Sequence, residues 1–292
     1  MTESPGSTVP RRMLGRRLRQ LREASGATVA HACKVIEVSP QTMWRLEGGQ
    51  AVKLKDLYIK ALCELYGATE DDTAALMGLV RETKRTGWWH AYGDAVPTYF
   101  DLYLGLEEAA RKLTTFHLTL LPGLLQTPAY RRAVIWGAYP GMPTADVERR
   151  IEIATKRQER LKEARNRFTM NVFLGEAGLR YEVGGRPVMT EQLHHLLAVS
   201  RLPTVTLRVL PFRTERVLPL VAGSFTVMEF PALLSFTEPP VVYVEGYTGA
   251  LYLDKPSEID QYTTACKAVH AAALDEQETR ELVSKIAKEY GE

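Results

Sequence analysis

Cysteine is scarce in this 292-residue chain: Cys33, Cys63 and Cys266 stand far apart, and no CxxC pair occurs. That argues against a disulfide scaffold or a zinc ribbon and reads as reduced thiols in a cytoplasmic protein. Long apolar runs are missing too; no window approaches the ~18 unbroken apolar residues of a membrane helix. The opening MTESPGSTVPRR has no apolar centre, so it is not read as a secretory signal, and residues 1–10 are expected to form a disordered tail. The signatures HExxH, GxSxG and the P-loop do not occur. His194 and His195 are neighbours on an expected helix, where side chains diverge by about 100° and cannot share one metal. His117 falls in an expected strand and reads as a partial-core residue. Glu176 and Glu245 sit at strand ends and read as structural or solvated. The turn VGGR, residues 183–186, is too short to cradle a phosphate. No cofactor, no metal and no enzymatic activity are expected.

What is present is a chain of ordinary globular composition, 45% hydrophobic and 25% charged, long enough for two domains. Its net charge of +2 is unevenly spread: residues 1–60 hold 11 Lys/Arg against 5 Asp/Glu, and residues 87–292 hold 23 against 25. The basic excess lies in the first segment and suggests an anionic partner there, or a solvated face.

The first segment reads as five short helices. Residues 11–25 place Leu14, Leu18 and Leu21 at helical spacing, with arginines on the other faces. Residues 28–36 follow, with Thr28 as N-cap. Residues 39–47 follow in turn, with Ser39 as N-cap, Pro40 in the first turn, and Gly48-Gly49 as the stop. Helices over 54–66, closed by Gly67, and 69–85, capped by Thr69, complete a domain spanning 11–86. The stretch TVAHACKVIEVSPQTMWRLE has the form of a helix-turn-helix. Ala32, Ile36, Val38, Met43 and Leu46 fall inward, and Cys33 lies near the crossing, where a small side chain is needed. Gln41, Trp44 and Arg45 fall outward, with Thr42 near the helix start. Gln can pair with adenine and Arg with guanine, each bidentately. Arg16, Arg17, Lys53 and Lys55, with the helix N-termini at Thr28 and Ser39, suit phosphates. Glu47 is expected to pair with an arginine of the first helix and pin the third.

This pattern resembles the helix-turn-helix of the phage-repressor-like, Xre-type family. Thr28, Val38, Ser39, Pro40, Thr42, Arg45, Glu47 and Gly48 carry the resemblance, with apolar Ile36, Met43 and Leu46. It departs at Val29, where the family often has Gln, and at Glu37, where it usually has a left-handed Gly. The resemblance implies double-stranded DNA as partner and a homodimer.

Residues 87–292 read as a mixed α/β domain, so the whole is α+β: an all-α helix-turn-helix domain, then a regulatory or partner-binding domain. The stretch WWHAYGDAVPTYFDLY has six aromatics in 16 positions against 9% for the chain. Trp88, Trp89, Tyr92, Tyr99, Phe100 and Tyr103 form either a packed hub or a ligand cage. A helix is expected over 106–113, then a strand in TTFHLTLLPG. In LLPGLLQTPAYRRAVI, Thr127 is a plausible N-cap, Pro128 a first helical residue and Tyr130 an anchor. A long charged helix is expected over 146–167, its length suggesting either packing on the sheet or a dimer or partner surface. Strands are expected at 169–174, 204–210, 224–230, 241–244 and 251–253, with helices at 190–200, 257–274 and 275–290. Together with LGEAGLRYEVGG, VTLRVLPF, GSFTVMEF and VVYVEGYTGALYLD, these stretches resemble the regulatory domain of actinobacterial Xre-type regulators, the Scr1-like, antitoxin-like, DUF5753-type proteins. The resemblance implies a DNA-binding regulator working with a small partner protein. An antitoxin-like module that sequesters such a partner and a repressor sensing a small-molecule effector are the alternatives.

Overall fold

The computed structural model describes residues 8–291 except 54, 85–86, 96–97, 163–167 and 234–235. Of the expected tail over 1–10, residues 1–7 lie outside the described residues, as does the expected boundary at Thr86, while Thr8, Val9 and Pro10 are not tail but open the first helix and are buried. Helices are α1 (Thr8–Ser25), α2 (Val29–Val35), α3 (Pro40–Glu47), α4 (Asp56–Tyr66), α5 (Glu70–Thr83), α6 (Thr98–Ala109), α7 (Pro128–Ala138), α8 (Thr144–Gln158), α9 (Ala177–Arg180), α10 (Arg186–Val199), α11 (Leu218–Ala222), α12 (Pro256–Ala272) and α13 (Glu276–Gly291). Strands are β1 (Lys112–His117), β2 (Thr169–Gly175), β3 (Val205–Leu210), β4 (Phe225–Glu229), β5 (Val241–Gly246) and β6 (Gly249–Leu253). Short 3₁₀ segments run over Trp88–Ala95, Gly123–Leu125 and Glu159–Leu161.

Two compact units result. The first takes Met1–Gly93, Phe100–Ala109 and Phe230–Glu238; the second takes Asp94–Tyr99, Ala110–Glu229 and Pro239–Glu292. In the first, Leu14 and Leu18 of α1, Met43 and Leu46 of α3, Ile59 and Leu62 of α4, and Leu76 and Leu79 of α5 are buried together as one apolar core. Gly15 lies where α1 crosses the end of α3: an added Cβ there would run into the backbone oxygens of Leu46 and Glu47. No larger residue allows that approach.

The second unit is built on a sheet of order β3-β2-β1-β4-β5-β6 among the described residues. β2 pairs in parallel with β1 and β3, and β1 pairs antiparallel with β4. The β2-α10-β3 crossover is the expected βαβ unit, because parallel neighbours need a helical return. Gly184 and Gly185, with φ of 76° and 88°, form the turn that launches α10. Phe116, Phe173, Phe225, Val242 and Val269 pack as one core cluster.

Two expectations are corrected. The helix expected over 106–113 ends at Ala109, and Leu113 lies in β1. Apolar spacing there suits either element, and pairing on both sides of β1 decides it. The long helix over 146–167 stops at Gln158 after 15 residues and passes into the 3₁₀ turn. Its tail bends inward, where Gln158 Nε2 donates to the Gln126 carbonyl and an Arg160 Nη donates to that of Ala110. The length argument for a dimer surface therefore falls away.

Candidate nucleic-acid interface

Each cap in the helix-turn-helix is satisfied by a local side chain. Thr28 Oγ1 accepts from the His31 N–H at 3.1 Å, and Ser39 Oγ accepts from Thr42 N–H at 3.2 Å. The Ser39 and Thr42 hydroxyls also bond each other at 3.0 Å. The turn between α2 and α3 closes through Val38 N–H to the Cys33 carbonyl, 3.0 Å, and puts Glu37 at φ 52°. That is the left-handed conformation the resemblance assigns to this position. Gly49, at φ 68°, follows α3; a Cβ there would lie 2.6 Å from the Arg12 Cα.

α3 is divided by face. Met43 and Leu46 are buried, while Gln41, Trp44 and Arg45 are exposed, Trp44 by 66% of its surface. Thr42 is half-buried. The helix is pinned from behind. Arg22 of α1 donates from Nε and Nη2 to the two carboxylate oxygens of Glu47, at 2.6 and 2.9 Å. Both side chains are largely buried, and the hydrogen bond to Glu47 pushes the Arg22 guanidinium up. This bidentate pair fixes the rotation of α3 about its axis. The Cys33 thiol and the Tyr66 hydroxyl, both buried close to Glu47, are pushed up by loss of water.

Lys53 and Lys55 are exposed in and after the loop that follows α3, and the Lys55 ammonium lies 5.0 Å over the Tyr58 ring. Thr28 and Ser39 stand exposed at their helix starts. Arg45 keeps an outward position but commits one Nη to the Ala51 carbonyl at 2.6 Å, leaving the rest of its fork for a ligand. Arg16 and Arg17, also expected at phosphates, have carboxylate partners within the unit. Arg17 donates to Asp72 of α5 at 2.7 Å and lies over the Phe236 ring. Arg16 reaches the buried carboxylate of Glu238 at 3.5 Å, and Arg12 binds the same oxygen at 2.7 Å. Arg12 and Arg16 thus share one carboxylate, and the side chains of Arg16 and Arg17 stay 38% and 30% exposed. Glu238 lies 226 residues from Arg12, and no local signal in the sequence marks it.

The aromatic stretch packs on itself. Trp88 meets Trp89 and Tyr92 edge-on, with centroids 5.9 and 6.0 Å apart, and Phe100 stacks on Tyr103 at 5.0 Å. Trp89 is buried and donates from Nε1 to Asp101 at 2.7 Å. The Tyr99 side chain lies outside the described residues. Among the described residues no group of three or more His, Cys, Asp or Glu could hold a metal ion, and no helix is long and apolar enough to cross a membrane.

Comparison with protein families agrees with this geometry. A helix-turn-helix domain model matches residues 13–76, and a model described as a domain of unknown function (DUF5753) matches residues 100–285. The second match spans more than half of the chain, and the chain belongs to the DUF5753 family. With its N-terminal helix-turn-helix it is a DNA-binding regulator carrying a DUF5753 domain. No curated protein and no solved structure matches the chain.

Proposed function

We propose that the chain is a sequence-specific, homodimeric transcription regulator of the Xre type, similar to actinobacterial regulators. It acts in the cytoplasm under a small effector or partner protein and is not an enzyme. The observation that carries this reading is the presentation of α3: Met43 and Leu46 anchor it, Arg22 and Glu47 lock it, and Gln41, Trp44 and Arg45 stand outward. Gln41 and Arg45 read base edges, with Trp44 and Thr42 in support. Lys53, Lys55 and the N–H groups at the starts of α2 and α3 hold phosphate. The start of α4 adds to them: its N-cap, Lys55, makes no side-chain cap bond, whereas α2, α3 and α5 are each capped by Ser or Thr. Two copies place their α3 helices in successive major grooves about 10 base pairs apart. The missing catalytic signatures in the sequence support the non-enzymatic reading.

Selection of bound duplexes from random DNA at stated salt tests this. The expected yield is a near-palindrome with half-sites about 10 base pairs apart. Arg45→Ala relaxes base preference, while Lys53→Ala weakens all sequences alike and lowers the salt slope by about 1. Equal loss on selected and random DNA for Arg45→Ala overturns the assignment.

A further inference from the structure

In the second unit α13 buries one side, through Thr279, Val283, Ile286 and Ala287. Gln277, Glu281, Lys285 and Lys288 follow one another at intervals of three and four residues, so they share the outer side. With Arg280, and with Arg201 two residues beyond the end of α10, they line an open cleft of about 490 Å³. Four of these six side chains are cations and one is a carboxylate, which leaves three positive charges over. The carboxylate pairs with none of the cations. Glu281 Oε1 accepts from Gln277 Nε2 at 2.7 Å, and Gln277 Oε1 accepts from Arg280 Nη2 at 3.1 Å. Among the described residues Arg201, Arg280, Lys285 and Lys288 form no ion pair. This local excess stands in a stretch, residues 87–292, where acids outnumber bases by 25 to 23. Helix dipoles account for part of it: Lys288 lies in the last turn of α13, and Arg201 follows the end of α10. They do not account for Lys285, or for Arg280 one turn from the start of α13, where a dipole gives a cation no help.

We propose that this cleft binds a small molecule carrying two phosphate groups. Groups of one sign lining a cleft concentrate an ion of the other sign. One phosphate monoester brings about 1.5 to 2 negative charges at neutral pH, too few for an excess of three, whereas two bring about 3 to 4. The cleft has the volume of a small-molecule site but a polar lining, so charge rather than apolar burial selects its ligand. Arg201 and Arg280 supply paired N–H donors, and Lys285 and Lys288 act as point charges that follow the phosphate oxygens. Glu281 is the one group in the cleft that opposes an anion. This site deepens the effector part of the proposed function and rests on that reading only for its regulatory consequence. Binding is read without DNA, so its failure is distinct from failure of the DNA-binding reading.

The test is calorimetric titration of the full chain with inorganic pyrophosphate, with orthophosphate and citrate as comparisons and sodium chloride holding ionic strength constant. Pyrophosphate should bind saturably and at least about tenfold more tightly than either comparison, the margin of one further charge-assisted bond. Citrate as tight as pyrophosphate, or heat that tracks ionic strength alone, overturns the proposal. The double variant Lys285→Gln/Lys288→Gln alters two exposed side chains and should weaken pyrophosphate by about tenfold or more with the circular dichroism spectrum unchanged. Unchanged affinity in that variant overturns the site, because the anion then sits elsewhere, as at the DNA-reading helices. Glu281→Gln removes the opposing carboxylate and should tighten pyrophosphate several-fold, a gain that a merely solvated face would not show. If the double variant fails to fold, Glu281→Gln decides: weaker or unchanged binding overturns the proposal. Without pyrophosphate, the double variant should hold a selected duplex as tightly as the wild type at the same salt. A loss of duplex affinity with a lower salt slope would overturn the small-molecule reading and assign the cleft to DNA phosphates.

Discussion

Glu37 sits at φ 52° in the turn between α2 and α3, a conformation in which its Cβ crowds the following carbonyl. For a residue with a side chain this costs about 1–2 kcal/mol. Glycine removes the crowding but loses more backbone freedom on folding, by about 0.5–1 kcal/mol against alanine. The net expectation for Glu37→Gly is a gain of about 0.5–1 kcal/mol, taking the first figure over the second. For a helical unit of this size that raises its melting transition by about 2–8 °C. Calorimetry of the full chain, following the lower and upper transitions separately, measures it.

One control separates backbone from charge. Glu37→Gln keeps the side chain and its strain but removes the carboxylate. If strain is the cause, Glu37→Gln leaves the transition where it was while Glu37→Gly raises it. A matching rise in both variants would show that the charge, not the backbone, limits stability. A fall on Glu37→Gly would refute the strain argument altogether. Both variants should bind DNA more tightly at low salt, because each removes an anion from the turn that leads into α3.

Three further outcomes follow from buried contacts. Glu47→Gln keeps the shape of the pair with Arg22 but removes its charge, and should cost about 1–3 kcal/mol, read by urea unfolding. An unchanged midpoint would mean α3 is not held by this pair. Gln192 is fully buried; its Oε1 accepts from Thr127 N–H at 2.6 Å and its Nε2 donates to the Leu125 carbonyl at 2.7 Å. Gln192→Leu strands both backbone groups and should cost about 2–4 kcal/mol in the second unit, seen as an earlier loss of its transition with the first unit unmoved. Burial lowers the His117 pKa to about 4. A base depressed in the folded state is protonated more readily when unfolded, so its contribution is complete above the ordinary histidine range and is lost as pH falls from about 6.5 to about 4. His117 keeps part of its surface, and solvent screens the penalty, so the loss is on the order of 2 kcal/mol. His117→Gln should flatten the stability–pH curve over that window, and a curve of unchanged slope would place the acid sensitivity elsewhere.

Features that depend on a few consecutive residues were legible from the sequence. Thr28, Ser39, Thr69 and Thr127 all cap as their spacing implies, because the cap bond runs to an N–H three residues on. Of the inward set, Ala32, Ile36, Met43 and Leu46 are buried as helical spacing implies, while Val38, in the turn, is half-buried. The left-handed Glu37 and the ion-paired Glu47 were also open to inference, each being a position where backbone or charge leaves few choices. What escaped depends on distant partners. The end of α6 against β1 turns on pairing with β2 and β4, from partners 57 and more positions away. Arg157 reads as one more charge on a charged helix, and only the packed fold shows it turned inward.

The carboxylate partners of Arg16 and Arg17 have the same origin and bear on how the reading helix is supported. Besides the shared apolar core, α1 supports α3 through the bare backbone of Gly15 and the Arg22–Glu47 pair. The opposite demand on α1 comes from residues 230–238, which follow β4 in the chain and belong to the first unit. Glu238 brings a fully buried carboxylate to Arg12 and Arg16, and Phe236 lies beneath Arg17. A buried carboxylate is stable only while its cations stay with it, so removing this segment changes the charge on α1 as well as its packing. A fragment ending near residue 86 keeps every cap and core residue of the helix-turn-helix yet leaves Arg12 and Arg16 without Glu238. The fragment then carries one negative charge fewer beside those two arginines. Affinities measured on such a fragment would overstate the electrostatic share of binding in the full chain.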